Sequence, residues 1–153
     1  MRNSAFKAAV DRMEPIFDQL MACELKPITP RSWIPKRPGV YALFDDRGAV
    51  YVGRSKNLHR RVGNHTAGRP LQSSFAFKLA REQTGLATNY KTDRSKAYLS
   101  QDAAFMAAFR SRVEWIKQLS ARYVIIEDDV EQHLFEVYAA LALKTPYNEF
   151  KTS

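Results

Sequence analysis

The sequence predicts a small α/β (α+β) domain in which helices surround a sheet of three strands, the first two forming a hairpin. Three observations lead there. Two runs rich in aromatic and β-branched residues, Gly39–Phe44 and Ala49–Gly53, flank the turn Asp45-Asp46-Arg47-Gly48, which is the signature of a β-hairpin with a four-residue loop. A later run, Arg122-Tyr123-Val124-Ile125-Ile126-Glu127, has the β-branched content of a buried strand. The segments around these carry apolar residues at helical spacing. With 153 residues, 45% of them apolar and 26% charged, the chain has the length and composition of one globular domain with its own core.

Taken in chain order, Phe6, Val10, Met13, Phe17 and Leu20 form one apolar helix stripe, expected to pack on the core. A second use of that stripe is a homodimer through the N-terminal helix. Pro15 falls inside the pattern and predicts a kink or two short helices. Pro27, Pro30, Pro35 and Pro38 mark an extended connector that cannot be helical. In the hairpin, Val40, Ala42 and Phe44 share one face, and Val50 and Val52 oppose Tyr51. If the valines face the core, Tyr41 and Tyr51 stand together on the other side. Residues 56–65 read as a helix with Ser55 as its N-cap. Leu58 and Val62 point inward, while Arg61 and His65, four apart, share another face. Helices are expected near 74–83 and 101–119, with a polar, basic loop at 88–96. Asp128 and Asp129 cap a final helix, 130–144, that stops before Pro146.

Charge is unevenly placed. From Arg47 to Arg122 there are 15 Lys+Arg against 4 Asp+Glu, a net of +11, whereas the remainder sums to −3. Such a field attracts polyanions, nucleic acid first among them. The single cysteine, Cys23, excludes an internal disulfide framework and a cysteine zinc site. It is expected to be a small packing residue at a helix end. No apolar run has the length of a membrane span, and Asp11 and Glu14 interrupt any signal-peptide core. The chain therefore reads as soluble and cytoplasmic.

The residues that carry chemistry occur in a fixed order. Pro38-Gly39-Val40-Tyr41-Ala42-Leu43-Phe44 precedes Tyr51-Val52-Gly53-Arg54-Ser55-Lys56-Asn57-Leu58-His59-Arg60-Arg61-Val62, with His65 one turn on. Near the C-terminus Glu136 stands twelve residues before Asn148, and Pro146 and Tyr147 come just ahead of that asparagine. This arrangement resembles the GIY-YIG nuclease superfamily, with valine replacing isoleucine in both triplets. The resemblance covers roughly residues 38–66 and 122–150. It implies a GIY-YIG-like domain over 38–150 with a central three-stranded antiparallel sheet. Residues 1–37 would then be a helical extension and connector, and 67–121 a helical insertion. It also implies a DNA endonuclease that uses one divalent ion, Mg²⁺ or Mn²⁺, held by Glu136. Its catalytic set would be Tyr41, Tyr51, Arg61, His65, Glu136 and Asn148.

Elementary chemistry agrees with those assignments. Phosphodiester hydrolysis needs an activated water and charge stabilisation at the phosphoryl oxygens. Glu136 is a lone carboxylate within Leu134-Phe135-Glu136-Val137-Tyr138. It requires either a cation or an arginine partner there, and a hard ion held by one carboxylate, waters and phosphate meets that need. An ordinary tyrosine, with a pKa of ~10, is a poor base, and lowering it by ~3 units takes about 4 kcal/mol of phenolate stabilisation. Arg61 and a bound ion are the available sources, and Tyr41 is the favoured base. Arg61 can bridge two phosphoryl oxygens. His65 can assist proton transfer or hold the phosphate. The family's late asparagine, here Asn148, orients the site by hydrogen bonding. Arg54, Lys56 and Arg60 are expected on the nucleic-acid backbone, and His59 and His133 at the surface. The competing readings are a non-catalytic nucleic-acid-binding protein on the same fold, an accessory subunit of a repair or mobile-element complex, and a protein-interaction module.

Overall fold

The hairpin forms as its turn chemistry dictates. In the computed structural model, which describes residues 4–85 and 96–148, β2 (Gly39–Asp45) and β3 (Gly48–Ser55) pair antiparallel. Asp45 pairs with Gly48, and the Asp45 carboxylate accepts hydrogen bonds from the N–H groups of Arg47 (2.9 Å) and Gly48 (3.2 Å). The loop is thereby tighter than the expected four residues. The register shifts between Leu43 and Phe44, a β-bulge. It hands the expected position of Val50 to Ala49, which packs beside Val52 against the core.

The chain divides into two compact units, residues 1–59 with 119–153, and residues 60–118. In the first, the sheet has four strands in the order β1-β4-β2-β3, not three. The addition is β1 (Lys26–Pro27), two residues of the proline-rich connector paired antiparallel with β4 (Ser120–Ile125). An edge position suits Pro27, which has no N–H to offer a further strand. One face of the sheet, carrying Val40, Ala42, Phe44, Val52, Val124 and Ile126, is covered by Met13, Ile16 and Leu20 of α2 (Met13–Ala22) and by Phe135, Ala139 and Ala140 of α7 (Asp129–Leu143). The Asp128 side chain accepts the Glu131 N–H at 2.8 Å and caps α7, one residue earlier than the sequence suggests.

The N-terminal stripe is only partly realised. The helix breaks at Arg12, between α1 (Ser4–Asp11) and α2, which places Pro15 in the first turn of α2, where proline is tolerated. The periodicity does not carry across the break. Met13, Ile16 and Leu20 are buried and Phe17 is partly so, whereas Phe6 (56%) and Val10 (46%) remain exposed. Cys23 caps the end of α2 as expected, and its carbonyl oxygen accepts a hydrogen bond from Arg122 Nε at 2.9 Å. His59 corrects its surface assignment. Half-buried, its Nδ1 lies 3.0 Å from the Ile34 carbonyl oxygen, and its own carbonyl oxygen accepts from Arg31.

The second unit is helical. The boundary between units falls within α3 (Leu58–Thr66), which starts two residues later than predicted, and α4 (Ser74–Thr84), α5 (Lys96–Leu99) and α6 (Ala103–Lys117) follow. α4 and α6 pack through Phe77, whose ring lies 4.9 Å from that of Phe105. Asp102 caps α6 by accepting the Phe105 N–H at 2.8 Å. The basic loop expected at 88–96 lies, up to residue 95, outside the described residues. Among the described residues no helix is long and apolar enough to cross a membrane.

Candidate active site

Strand alternation and sheet order decide where the two tyrosine triplets go. Because Val40, Ala42 and Val52 face α2 and α7, Tyr41 and Tyr51 stand together on the opposite face of the sheet. Tyr41 is in register with Gly53 and Tyr51 with Leu43, so the two tyrosines are diagonal neighbours, with ring centroids 6.4 Å apart. Tyr41 has no exposed surface, while Tyr51 is half-buried.

Sterics explain both motif glycines. A Cβ on Gly53 would collide with the Tyr41 ring and hydroxyl, lying 2.8 Å from Cε1. A Cβ on Gly39 would collide with the Val124 carbonyl oxygen of the neighbouring strand. The glycines permit close approach rather than an unusual backbone angle. Tyr123 shares this neighbourhood and had no sequence signal beyond strand propensity. It pairs in register with Tyr41, and its ring lies 5.9 Å from that of Trp33.

Asn148 acts on the other edge of the hairpin. β3 is the outer strand, and Val52 turns its backbone groups outward. The Val52 N–H donates to Asn148 Oδ1 at 2.8 Å, and Asn148 Nδ2 donates to the Val52 carbonyl oxygen, also at 2.8 Å. One side chain thus does for Val52 what a neighbouring strand would do, and it fixes the residue between Tyr51 and Gly53. Glu136 is half-buried on α7, along the line from Gln132 to Ala140, both of them buried. Gln132 donates from Nε2 to the Ile126 carbonyl oxygen at 2.7 Å and anchors the helix one turn before Glu136. Among the described residues no group of three or more His, Cys, Asp or Glu is placed to hold a metal. A single carboxylate such as that of Glu136 has the donor chemistry of hard ions, which take their remaining ligands from water and phosphate oxygens.

Arg54, Lys56, Asp129, Val130, His133 and Leu134 line an open groove of about 390 Å³ in the first unit. Arg54 and Lys56 are exposed there, and His133 is exposed as predicted.

Arg61 and His65 belong to the second unit. Arg61 is half-buried and donates from Nη2 to Ser74 Oγ at 3.0 Å, a partner that sequence spacing did not suggest. His65 is fully buried, edge-on to Phe75 at 6.2 Å between centroids. Burial, assisted by the positive charge of Arg61, pushes its pKa down to about 3. It is neutral at physiological pH. Arg60 is exposed.

The chain was compared with known proteins. Residues 37–84 match the model of the GIY-YIG catalytic domain. That match runs to the end of α4, further than the motif residues at 38–66, and stops before Glu136 and Asn148. The UvrABC system protein C of Maricaulis maris is 38% identical over 63 residues, 39% of this chain and 10% of the relative. That of Agrobacterium fabrum is 33% identical over 98 residues, 63% of this chain and 13% of the relative. The chain thus spans about a tenth of the length of these curated relatives. A solved structure, the GIY-YIG N-terminal endonuclease domain of UvrC from Thermotoga maritima bound to magnesium, is similar at a TM-score of 0.39 and 16% identity. It covers 76% of this chain and 88% of that one.

Proposed function

We propose that this chain, whose residues 37–84 match the GIY-YIG catalytic domain, is a DNA endonuclease that hydrolyses phosphodiester bonds with one divalent cation, Mg²⁺ in the first instance. The observation that carries the reading is the diagonal pair Tyr41–Tyr51, set on the sheet face opposite the valine core, with the Tyr41 ring seated where a Cβ on Gly53 would lie.

Glu136 would hold the cation, which when bound supplies Lewis-acid stabilisation of the phosphoryl charge. Tyr51 takes the general-base role in this reading. It keeps exposed surface from which to meet a water, whereas the sequence-favoured Tyr41 has none. Tyr41 then packs and orients Tyr51. Arg61, its guanidinium steadied by Ser74, is assigned to the non-bridging phosphoryl oxygens. Neutral His65 supports the helix that carries Arg61. Asn148 holds β3, and Arg54, Lys56 and Arg60 meet the phosphate backbone.

The test is conversion of supercoiled plasmid, and of single-stranded and branched oligonucleotides, with Mg²⁺ against EDTA. Glu136→Gln, checked for folding by circular dichroism, runs alongside. The expected result is metal-dependent cutting that falls on the order of 10²–10³-fold in the variant, the size of losing one preorganised charge-stabilising group. Cutting that survives EDTA or the substitution would overturn the assignment of Glu136. Salt-sensitive DNA binding without cutting of any substrate would favour the non-catalytic binding protein.

A further inference from the structure

The geometry points to Thr145 as a positioning residue: its hydroxyl holds the Asn148 amide in place, in the flip that Val52 selects, and so latches the end of α7 to the strand carrying Tyr51. Val52 presents a donor and an acceptor side by side, and an asparagine amide matches that pair in only one of its two flips. In the other flip an amine faces an N–H and two carbonyl oxygens face each other. Asn148 follows the turn Pro146-Tyr147, outside any helix or strand, so no regular element sets its side-chain orientation.

Thr145 supplies what the backbone there does not. Its Oγ1 donates to Asn148 Oδ1 at 2.8 Å, the same oxygen that accepts the Val52 N–H at 2.8 Å. The Thr145 hydroxyl can donate or accept, so the flip is selected by Val52; in that flip Thr145 adds a second donor to Oδ1 and fixes the position of the amide. Thr145 is itself tied to the last turn of α7. Lys144 turns the chain in the left-handed conformation (φ 55°), and the Thr145 N–H donates to the Ala140 carbonyl oxygen at 3.2 Å. Its β-branched side chain has few rotamers to lose on forming the bond. The connection therefore runs from α7, which bears Glu136 one turn before Ala140, through Thr145 and Asn148 to Val52, between Tyr51 and Gly53. The consequence for catalysis rests on the nuclease reading, whereas the latch itself does not.

The experiment is amide hydrogen exchange at Val52, read by two-dimensional NMR, in wild type, Thr145→Val, Thr145→Ser and Asn148→Ala, with cleavage kinetics alongside. Thr145→Val should speed exchange at Val52 roughly 2- to 10-fold, the size of one neutral hydrogen bond, and Thr145→Ser should restore the wild-type rate. Asn148→Ala should speed it more. In cleavage, Thr145→Val should lower kcat by a similar factor and leave KM for DNA unchanged, with serine again restoring it. Wild-type exchange at Val52 in Thr145→Val overturns the proposal, whatever the activity. An equal rise at the other β2 and β3 amides, such as Ala42, would mark general destabilisation and also overturn it. A rise confined to Val52 in a protein that cuts no DNA would sustain the latch and count against the nuclease reading alone.

Discussion

Residues 60–118 carry 11 Lys+Arg against 4 Asp+Glu, a net of +7, whereas the other compact unit carries 13 against 12. The nearly neutral unit contains every strand together with Tyr41, Tyr51, Glu136 and Asn148. Among the described residues the regular elements of the basic unit are helices, and that unit contains Arg61 and His65. The difference follows from what each property requires. Holding two phenols and a carboxylate in place takes cross-strand registry and a packed core, which a dense like-charged surface would weaken by self-repulsion. On the nuclease reading, attracting a polyanion takes charge and little geometry, since the field acts over about 8 Å at physiological salt. Helices with exposed faces are sufficient for that.

The largest effect that sharpens this contrast is acid sensitivity built into the basic unit. His65 has a folded pKa of about 3, below the ordinary unfolded value of ~6.5. The unfolded chain therefore binds the extra proton between those values. Stability from this group is complete above pH ~6.5 and is lost as pH falls toward 3, with a slope approaching about 1.4 kcal/mol per pH unit. Urea unfolding at pH 7.5 and 4.5 should show this loss in wild type, and a shallower one in His65→Gln. Equal pH dependence in the two proteins would mean that His65 is not buried neutral.

Next in size is a steric test of the neutral unit. Gly53→Ala puts a methyl group into the Tyr41 ring and should cost about 1–3 kcal/mol of stability, as overpacking does. Gly53→Ala combined with Tyr41→Leu should recover part of that stability, because the smaller side chain vacates the space. A double variant no more stable than the single one would show that the glycine is needed for another reason.

The smallest effect concerns charge alone. Arg110 is exposed on α6, away from the candidate catalytic set in sequence. If the basic unit serves attraction, Arg110→Gln should weaken DNA binding a few-fold at most and lower the salt slope of log K by up to ~0.9, with kcat unchanged. A fall in kcat would break the division drawn between the two units.

The placement of the two motif tyrosines was legible before the fold. Strand alternation alone put Tyr41 and Tyr51 on one face, and the motif order named Glu136 and Asn148 as residues to watch. Other features were not legible, because their partners are distant in sequence. Asn148 and Val52 are 96 residues apart, and nothing in either neighbourhood announces that an amide will complete an edge strand. The two-residue β1 was hidden in a proline-rich connector, and it becomes a strand only because Ala121 and Ser120 of β4 lie beside it. The Arg61–Ser74 bond joins two helices, and no helical spacing predicts it.

What the sequence by itself determined is what short-range chemistry dictates. The Asp45–Gly48 turn, the helix cap Asp128, the break near Pro15 and the two faces of the hairpin each depend on residues within a few positions of one another. The tertiary structure alone decided burial and long-range partnership. It turned Phe6 and Val10 outward past a helix break, enclosed His65 so that it stays uncharged, left Tyr51 rather than Tyr41 with exposed surface, and placed Asn148 on the open edge of β3. Desolvation and cross-strand hydrogen bonding are properties of what surrounds a residue, and those surroundings come from segments far along the chain.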